Sequence, residues 1–565
     1  SLDWKAPNED GTLLAFGLSK AGDENSILYV MDVDSREWLA DEIPGKVGGV
    51  DWLNGSDGFF YRCLEDVKNP YSAQIKYHKL GTHHRQDKLI FEQYKEGPLA
   101  TTWGPSANFS RDGRWMVLSY WTGTDSNDLW VVDMDKWFRT GELVKTDLIV
   151  GEKCKSYGIF SGDHYLLHTT YQAPNARVVK VNLHQPGVEH WKEIIPERKD
   201  AVLDDISLAR GMVIGDYLKD AQSLFEKFDL DGNSLGEIPL PGIGSAGVVT
   251  HDDRTEGFLA FSSFNEPLSI YHIDLETNKR ELWERPDVPV DPSIVEVKQV
   301  FVTSKDGTTF PMFIVHKKGL ELNGKNPTIL NGYGGFDISL TPYFSATLFP
   351  WYEAGGVYVS ANLRGGGEYG EKWHQAGMLE NKQNVFDDFI AAAEWLIENK
   401  YTDSQHLGIS GGSNGGLLVG AAITQRPDLF AAAISGVPLL DMLRYQHFLM
   451  AKYWVPEYGD SAVKEQYEFL KKYSPYQNVK EGTAYPATLV TAGENDTRVH
   501  ALHAMKMVPL LRDSTTSDPV KDPILLWVDR SAGHGGGKPL DLRIRDVVDQ
   551  RIFMMWQLGM LEGAK

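Results

Sequence analysis

Three residues late in this 565-residue chain have the types and the order needed to transfer an acyl group to a serine hydroxyl. Ser413 lies in Gly411-Gly412-Ser413-Asn414-Gly415-Gly416, after an apolar run and before a run of small residues. That is the form of a tight strand-to-helix turn that lifts a serine clear of a parallel sheet. Asp496 follows in Ala492-Gly493-Glu494-Asn495-Asp496, and His534 in Ala532-Gly533-His534-Gly535-Gly536. A serine hydroxyl is a poor nucleophile until a base removes its proton during attack, so His534 is assigned as the base. Asp496 would orient the imidazole and stabilise the imidazolium without taking its proton.

Serine, aspartate, histidine is the chain order of α/β-hydrolases, distinct from the orders used on the chymotrypsin and subtilisin folds. The order also sorts the competitors. Ser410, in Gly408-Ile409-Ser410-Gly411-Gly412, fits the same turn pattern but is expected still to lie in the strand. His500 and His503 read as positions on the next helix, and Asp441, Asp460 and Asp529 as structural or solvent-facing. The glycines around Ser413 are expected to allow positive φ and a close helix–strand approach. A developing oxyanion needs preorganised donors. One is the backbone N–H of Asn414, directly after the nucleophile. The other should come from the loop Asn331-Gly332-Tyr333-Gly334-Gly335-Phe336, where Tyr333 reads equally as a phenolic donor or as a packed loop aromatic.

Two kinds of element must position these groups. Residues 1–290 read as all-β, with short alternating strands punctuated by Asp-Gly, Asn-Gly and Ser-Gly turns. A turn such as Glu9-Asp10-Gly11 or Arg111-Asp112-Gly113 precedes an apolar strand, and a second strand then ends in a polar step, as in Tyr29–Asp34, Trp130–Asp135 and Tyr271–Leu275. Weaker copies end near Leu80, Leu183 and Leu230. Copies recur about 45–55 residues apart, close to one β-propeller blade, which favours six blades over an irregular sandwich. Residues 291–565 begin with a hairpin through Ser304-Lys305-Asp306-Gly307 and then alternate strands with helices. That grammar predicts a doubly wound, mostly parallel sheet with Asp496 and His534 just after strands, at their carboxyl ends. Pro286–Pro292 reads either as a stiff linker or as an ordinary crossover.

Composition narrows the function classes. Net charge is −22 without long acidic blocks, which argues against nucleic acid, whose phosphates need a basic footprint. No apolar run approaches the roughly 18 residues of a membrane span. Two cysteines, Cys63 and Cys154, suggest a reducing, cytoplasmic setting, with a single bridge between them left open. Neither zinc-type Cys/His spacing nor His-Glu-x-x-His occurs, so neither a metal nor another cofactor is expected. The chain begins at Ser1 without a methionine, so residues upstream are expected.

Tyr333-Gly334-Gly335-Phe336, Arg364-Gly365-Gly366-Gly367-Glu368-Tyr369-Gly370, Gly412–Gly416, Asp496-Thr497-Arg498-Val499 and Gly533–Pro539 together resemble the prolyl oligopeptidase family. The resemblance is specific over 290–565 and looser over the propeller half. It implies serine-type cleavage of short peptides on the carboxyl side of proline, beneath a seven-bladed propeller that excludes large folded proteins. By motif it implies a triad of Ser413, Asp496 and His534 and an oxyanion hole of Tyr333 with the Asn414 amide. It further implies that Trp454 stacks on the substrate proline, that Phe336, Met450, Tyr458 and Val499 complete an apolar pocket, and that Arg498 bonds the carbonyl preceding proline. Glu494-Asn495 stands where better-known members carry Asp-His, outside the named roles. The family's opening segment and first blade are not recognisable, which fits six repeats rather than seven and leads us to expect them in a longer native protein. Short proline-containing peptides are the expected partners of a monomer. The alternatives are a peptide macrocyclase on the same scaffold, and a non-catalytic propeller scaffold.

Overall fold

The computed structural model describes residues 1–20, 22–535 and 538–561. Six four-stranded antiparallel sheets, each paired in chain order, cover residues 2–43, 50–92, 104–149, 156–195, 202–238 and 245–284. Each polar step noted in the sequence closes the third strand of a blade, from Ile27–Asp32 in the first to Glu266–Asp274 in the sixth. The Asp-Gly turns join first and second strands. In the first blade the Asp10 carboxylate accepts from the backbone N–H (3.1 Å) and hydroxyl (2.6 Å) of Thr12, and in the third Asp112 accepts from the backbone N–H of Arg114. Such side-chain-to-backbone bonds fix the reversal without strand partners.

The blades cohere because successive strand residues point to opposite faces. In the second strand of the third blade, Trp115 and Val117 join the core shared with the fourth blade, whereas Met116 and Leu118 join the core shared with the second. In the fourth blade Tyr165 and Leu167 face back and Leu166 faces forward. Five such clusters link the six blades in series. Cys63 and Cys154 are buried in two different clusters as free thiols, so the bridge left open above is not formed. One element escaped the all-β reading: Met134–Thr140 is a short helix capped by Asp133, whose side chain accepts from the Lys136 N–H.

The second half is built on one eight-stranded sheet. Its strands are β1 (Val295–Thr303), β2 (Thr309–Lys317), β3 (Thr328–Gly332), β4 (Val357–Ala361), β5 (Leu407–Gly412), β6 (Ala432–Gly436), β7 (Ala487–Gly493) and β8 (Ile524–Asp529). They lie in the order β1-β2-β4-β3-β5-β6-β7-β8, antiparallel through β4 and parallel from there on. Both faces are covered. Met312, Ile314, Leu330, Val359 and Val490 pack on the side of helices α1 (Gln383–Glu398) and α2 (Asn414–Gln425). Their neighbours Phe313, Val315, Ile329, Tyr358 and Leu489 pack on the side of the last helix, Leu540–Gln557. A sheet buried on both faces explains why these strands read as continuous apolar runs rather than as alternation.

One buried charge cluster ties the hairpin to this sheet. Arg364, just after β4, reaches Asp388 on α1 through Nε (3.0 Å) and Nη2 (2.6 Å), and also engages Asp306 in the β1–β2 turn. Arg364 and Asp388 are almost wholly buried. Removing the guanidinium leaves an uncompensated carboxylate, a change costing about 3–5 kcal/mol. Arg364→Met is therefore expected to lower the urea midpoint of the hydrolase half sharply. A midpoint within error of wild type would contradict this account of the cluster.

Candidate active site

β3 and β5 are adjacent and parallel, with Asn331 opposite Ser410, so the chain leaves the sheet at Tyr333 and Ser413 side by side. This is the reversal point of the strand order, where doubly wound sheets open a crevice. Ser410 lies within β5, and its hydroxyl accepts from Asn331 Nδ2 at 3.2 Å, which satisfies the decoy serine structurally. Ser413 is the single residue between β5 and α2. It has φ 58° and ψ −118°, a conformation costing a non-glycine residue about 1–3 kcal/mol. The neighbouring glycines do not share the positive φ expected of them. Their role is room: a Cβ on Gly411 would lie 2.4 Å from the Gly415 carbonyl oxygen, and one on Gly416 would lie 2.7 Å from Pro438. The Ser413 N–H donates to the Gly436 carbonyl at 2.8 Å, and its own carbonyl accepts from Gly416 and Leu417, which locks the turn.

Asp496 follows β7 and His534 follows the neighbouring β8. His534 Nδ1 and Asp496 Oδ2 are 2.7 Å apart. The other oxygen, Oδ1, accepts from the backbone N–H groups of Arg498 (2.8 Å) and Val499 (2.9 Å). The carboxylate is buried and held at both ends, so it can orient an imidazole without rotating. The histidine loop folds back over β7, where Asn495 N–H donates to the Ala532 carbonyl, and a Cβ on Gly533 would lie 2.0 Å from the Gly22 carbonyl of the first blade. Gly536 and Gly537 lie outside the described residues. Lys538 pairs with Asp529 and Asp546 beyond them.

As the first residue of α2, Asn414 has no intrahelical acceptor for its N–H, which sits beside Ser413. The Tyr333 phenol is coupled to the Ser413 side chain, and burial pushes its pKa up to about 12, so it stays protonated and able to donate. The Asn414 side chain is a tie rod: Nδ2 donates to the Tyr333 carbonyl at 2.7 Å, while Oδ1 accepts from Tyr458 (2.8 Å) and Lys382 (3.1 Å). Met450, Trp454, Tyr458 and Val499 belong to one apolar cluster, with Phe336 packed against it. Phe336 and Tyr458 meet edge to face at 5.4 Å between ring centroids. Arg498 reaches across to the first blade, where Glu24 engages its Nη2 (2.8 Å) and Nε (3.0 Å). That leaves the Nη1 donors uncommitted to Glu24.

The competing carboxylates are engaged elsewhere: Asp441 with Lys506 and Arg444, Asp460 with the Ala462 N–H, Asp529 with Lys538. His503 lies on helix Leu502–Ser514, and burial pushes its pKa down to about 4. Its neutral Nδ1 accepts from the Leu440 and Asp441 N–H groups. Several residues around the site carried no sequence signal. Lys382, His374 and Lys155 stand in unremarkable stretches. Glu457 was visible only as an acid set inside the aromatic segment Trp454–Tyr458.

Residues 1–286 match the prolyl oligopeptidase, N-terminal beta-propeller domain, and residues 342–560 match the prolyl oligopeptidase family. The prolyl endopeptidase of Elizabethkingia miricola is 37% identical over 98% of this chain and 78% of its own. The dual function macrocyclase-peptidase POPB of Galerina marginata is 32% identical over 98% of this chain and 78% of its own. A solved prolyl endopeptidase superposes with a TM-score of 0.94 at 40% identity, covering 99% of this chain and 82% of that one.

Beneath the Tyr333 loop, His374 stands between Glu457 (2.8 Å) and Glu371 (3.0 Å), wholly buried. Burial opposes its charge, but Glu457 and Glu371 outweigh it and lift the pKa to about 9. The folded value thus lies above the unfolded one, near 6.5. Its stabilisation is complete below pH 6.5 and is lost as pH rises through 9. Melting temperature is expected to fall across that window in wild type, and to fall less in His374→Gln. Parallel profiles for the two proteins would contradict a charged His374.

Proposed function

Because the chain belongs to the prolyl oligopeptidase family, we propose that its serine-peptidase chemistry is carried by Ser413, His534 and Asp496 and directed to proline by the Trp454 pocket. What supports this most is one arrangement: Ser413 on its strained turn beneath the Tyr333 hydroxyl, with the His534–Asp496 pair at 2.7 Å supplied from adjacent strands.

The protein is a serine endopeptidase of the prolyl type, and the steps follow from these groups. Ser413 Oγ attacks the carbonyl of the proline residue while His534 takes its proton, and Asp496 stabilises the imidazolium. The carbonyl oxygen becomes an oxyanion facing the Asn414 N–H and the Tyr333 hydroxyl. His534 then gives its proton to the leaving amine, and water cleaves the acyl-enzyme by the reverse route. Trp454 offers a flat face to a pyrrolidine ring that has no N–H to satisfy, and Phe336, Met450, Tyr458 and Val499 exclude water around it. Arg498 Nη1 meets the carbonyl preceding proline, with Glu24 steadying the guanidinium.

Residues 1–290 act as the cap and 291–565 as the catalytic unit. Two cavities between them, of about 280 and 360 Å³, share Phe336, Trp121 and Thr124 in their walls, space suited to a short peptide rather than a folded domain. Among the described residues no helix is long and apolar enough to cross a membrane, and both cysteines are free. The free thiols support a reducing, cytoplasmic setting. POPB-type relatives also close peptides into rings, but the prolyl endopeptidases are the more similar, so linear products should dominate.

Paired fluorogenic peptides that differ only in proline or alanine before the scissile bond test the assignment. Wild type should prefer proline strongly, and Ser413→Ala should cleave neither. Serine-dependent cleavage of both peptides alike would overturn the specificity; undiminished cleavage by Ser413→Ala would overturn the nucleophile. Trp454→Ala should lower kcat/KM for the proline peptide by about 10- to 100-fold and the alanine peptide far less. Tyr333→Phe should lower kcat by about 100- to 1,000-fold at nearly constant KM, the cost of one oxyanion donor.

A further inference from the structure

The Phe336–Asp337 end of the oxyanion loop is strained and needs an external hold. Both residues have positive φ, 59° and 60°, in succession and neither is glycine. Glu457 Oε1 accepts the Phe336 N–H at 2.7 Å, and Lys382 Nζ donates to the Gly334 carbonyl at 2.7 Å. Glu457 and His374 are wholly buried and Lys382 almost so. Burial works against the charge of Glu457, but His374 and Lys382 keep its carboxyl below the usual range.

Two propeller side chains end on this same network. Thr124, from the third blade, donates to Glu457 Oε2 at 3.1 Å, the oxygen that also meets His374. Lys155, just before the fourth blade, pairs with Asp337 and reaches Glu371 at 3.2 Å, the carboxylate that holds the other nitrogen of His374. The run Lys155–Glu371–His374–Glu457 thus alternates in sign from the propeller to the Phe336 amide. Asp337, Glu371 and His374 are spaced to hold a cation, and the Lys155 ammonium reaches both carboxylates of that trio.

We propose that His374 and Glu457 are positioning residues through which docking of the propeller, by Lys155 and Thr124, sets the Phe336–Asp337 turn and so holds the Tyr333 hydroxyl over Ser413. This rests on the peptidase reading above. Neither residue touches the reacting atoms. Their contribution is to the geometry of an oxyanion donor, where a shift of about 1 Å can cost 100-fold in rate. Withdrawal of the propeller would take the Lys155 ammonium from Asp337 and the Thr124 hydroxyl from Glu457, so the strained turn would lose one partner and the carboxylate that holds its amide would lose a tether.

The propeller side of the network permits a test that spares the hydrolase core. Lys155→Met, Lys155→Arg and Thr124→Val are compared with wild type on the proline peptide, with kcat and KM resolved and melting temperature recorded. Lys155→Met should lose about tenfold in kcat with KM within twofold, and Lys155→Arg should recover most of it. Thr124→Val should move kcat in the same direction by less. Wild-type kcat in Lys155→Met with only a lower melting temperature would overturn the inference, as would a rise in KM alone, which would make Lys155 part of substrate access. If Glu457→Gln folds, it should reproduce the loss of kcat; full activity there would also overturn the inference. Should wild type fail to cleave the proline peptide, the peptidase reading falls with it, an outcome distinct from an active wild type matched by its variants.

Discussion

A parallel strand must become a helix within one residue at Ser413, and the catalytic half is arranged around that reversal. A residue at φ 58° and ψ −118° does not hold itself, so it needs partners fixed from outside. β6 supplies one, the Gly436 carbonyl, and the first turn of α2 supplies others. The glycines at 411, 415 and 416 bring helix, strand and the β3 loop into contact distances no Cβ would allow. Close approach of α2 to β3 then places the Tyr333 loop beside Ser413, and the Asn414 side chain ties that loop to the helix start.

The second constraint is electrostatic. Charges buried beside the site are costly unless each meets an opposite partner with good geometry. Here Glu457, His374, Glu371 and Lys155 alternate in sign, and Lys382 caps the loop with its remaining donors. The consequence is that the floor of the Tyr333 loop and the docking surface of the propeller are one charge system. Arg498 and Glu24 form a second span on the opposite flank, between the aspartate loop and the first blade. The propeller therefore touches the Tyr333 and Asp496 loops at two separated points.

Much of this was legible in the sequence, for physical reasons. The blades showed because Asx-type turns and polar strand ends recur at a regular spacing, and all six third strands end within two residues of where the pattern placed them. β3 to β8 showed because a sheet covered on both faces demands unbroken apolar runs. Ser413, Asp496 and His534 showed because their loops follow strand ends in a diagnostic order. The helix Met134–Thr140 did not, since seven residues after a strand carry too little periodicity. Lys155, His374, Lys382 and Glu457 did not either. Their roles depend on partners far apart in the chain rather than on local spacing, such as Thr124 meeting Glu457 across 333 positions. The glycine-rich turn was read correctly in place but not in mechanism, because the positive φ belongs to the serine.

A crystal structure with a short peptide aldehyde ending in proline tests the central assignment most directly. The account predicts a hemiacetal on Ser413 Oγ, its oxygen about 2.7–3.1 Å from both the Tyr333 hydroxyl and the Asn414 N–H, with the proline ring on Trp454. An adduct on another residue, or an oxygen turned away from Tyr333 and Asn414, would contradict it.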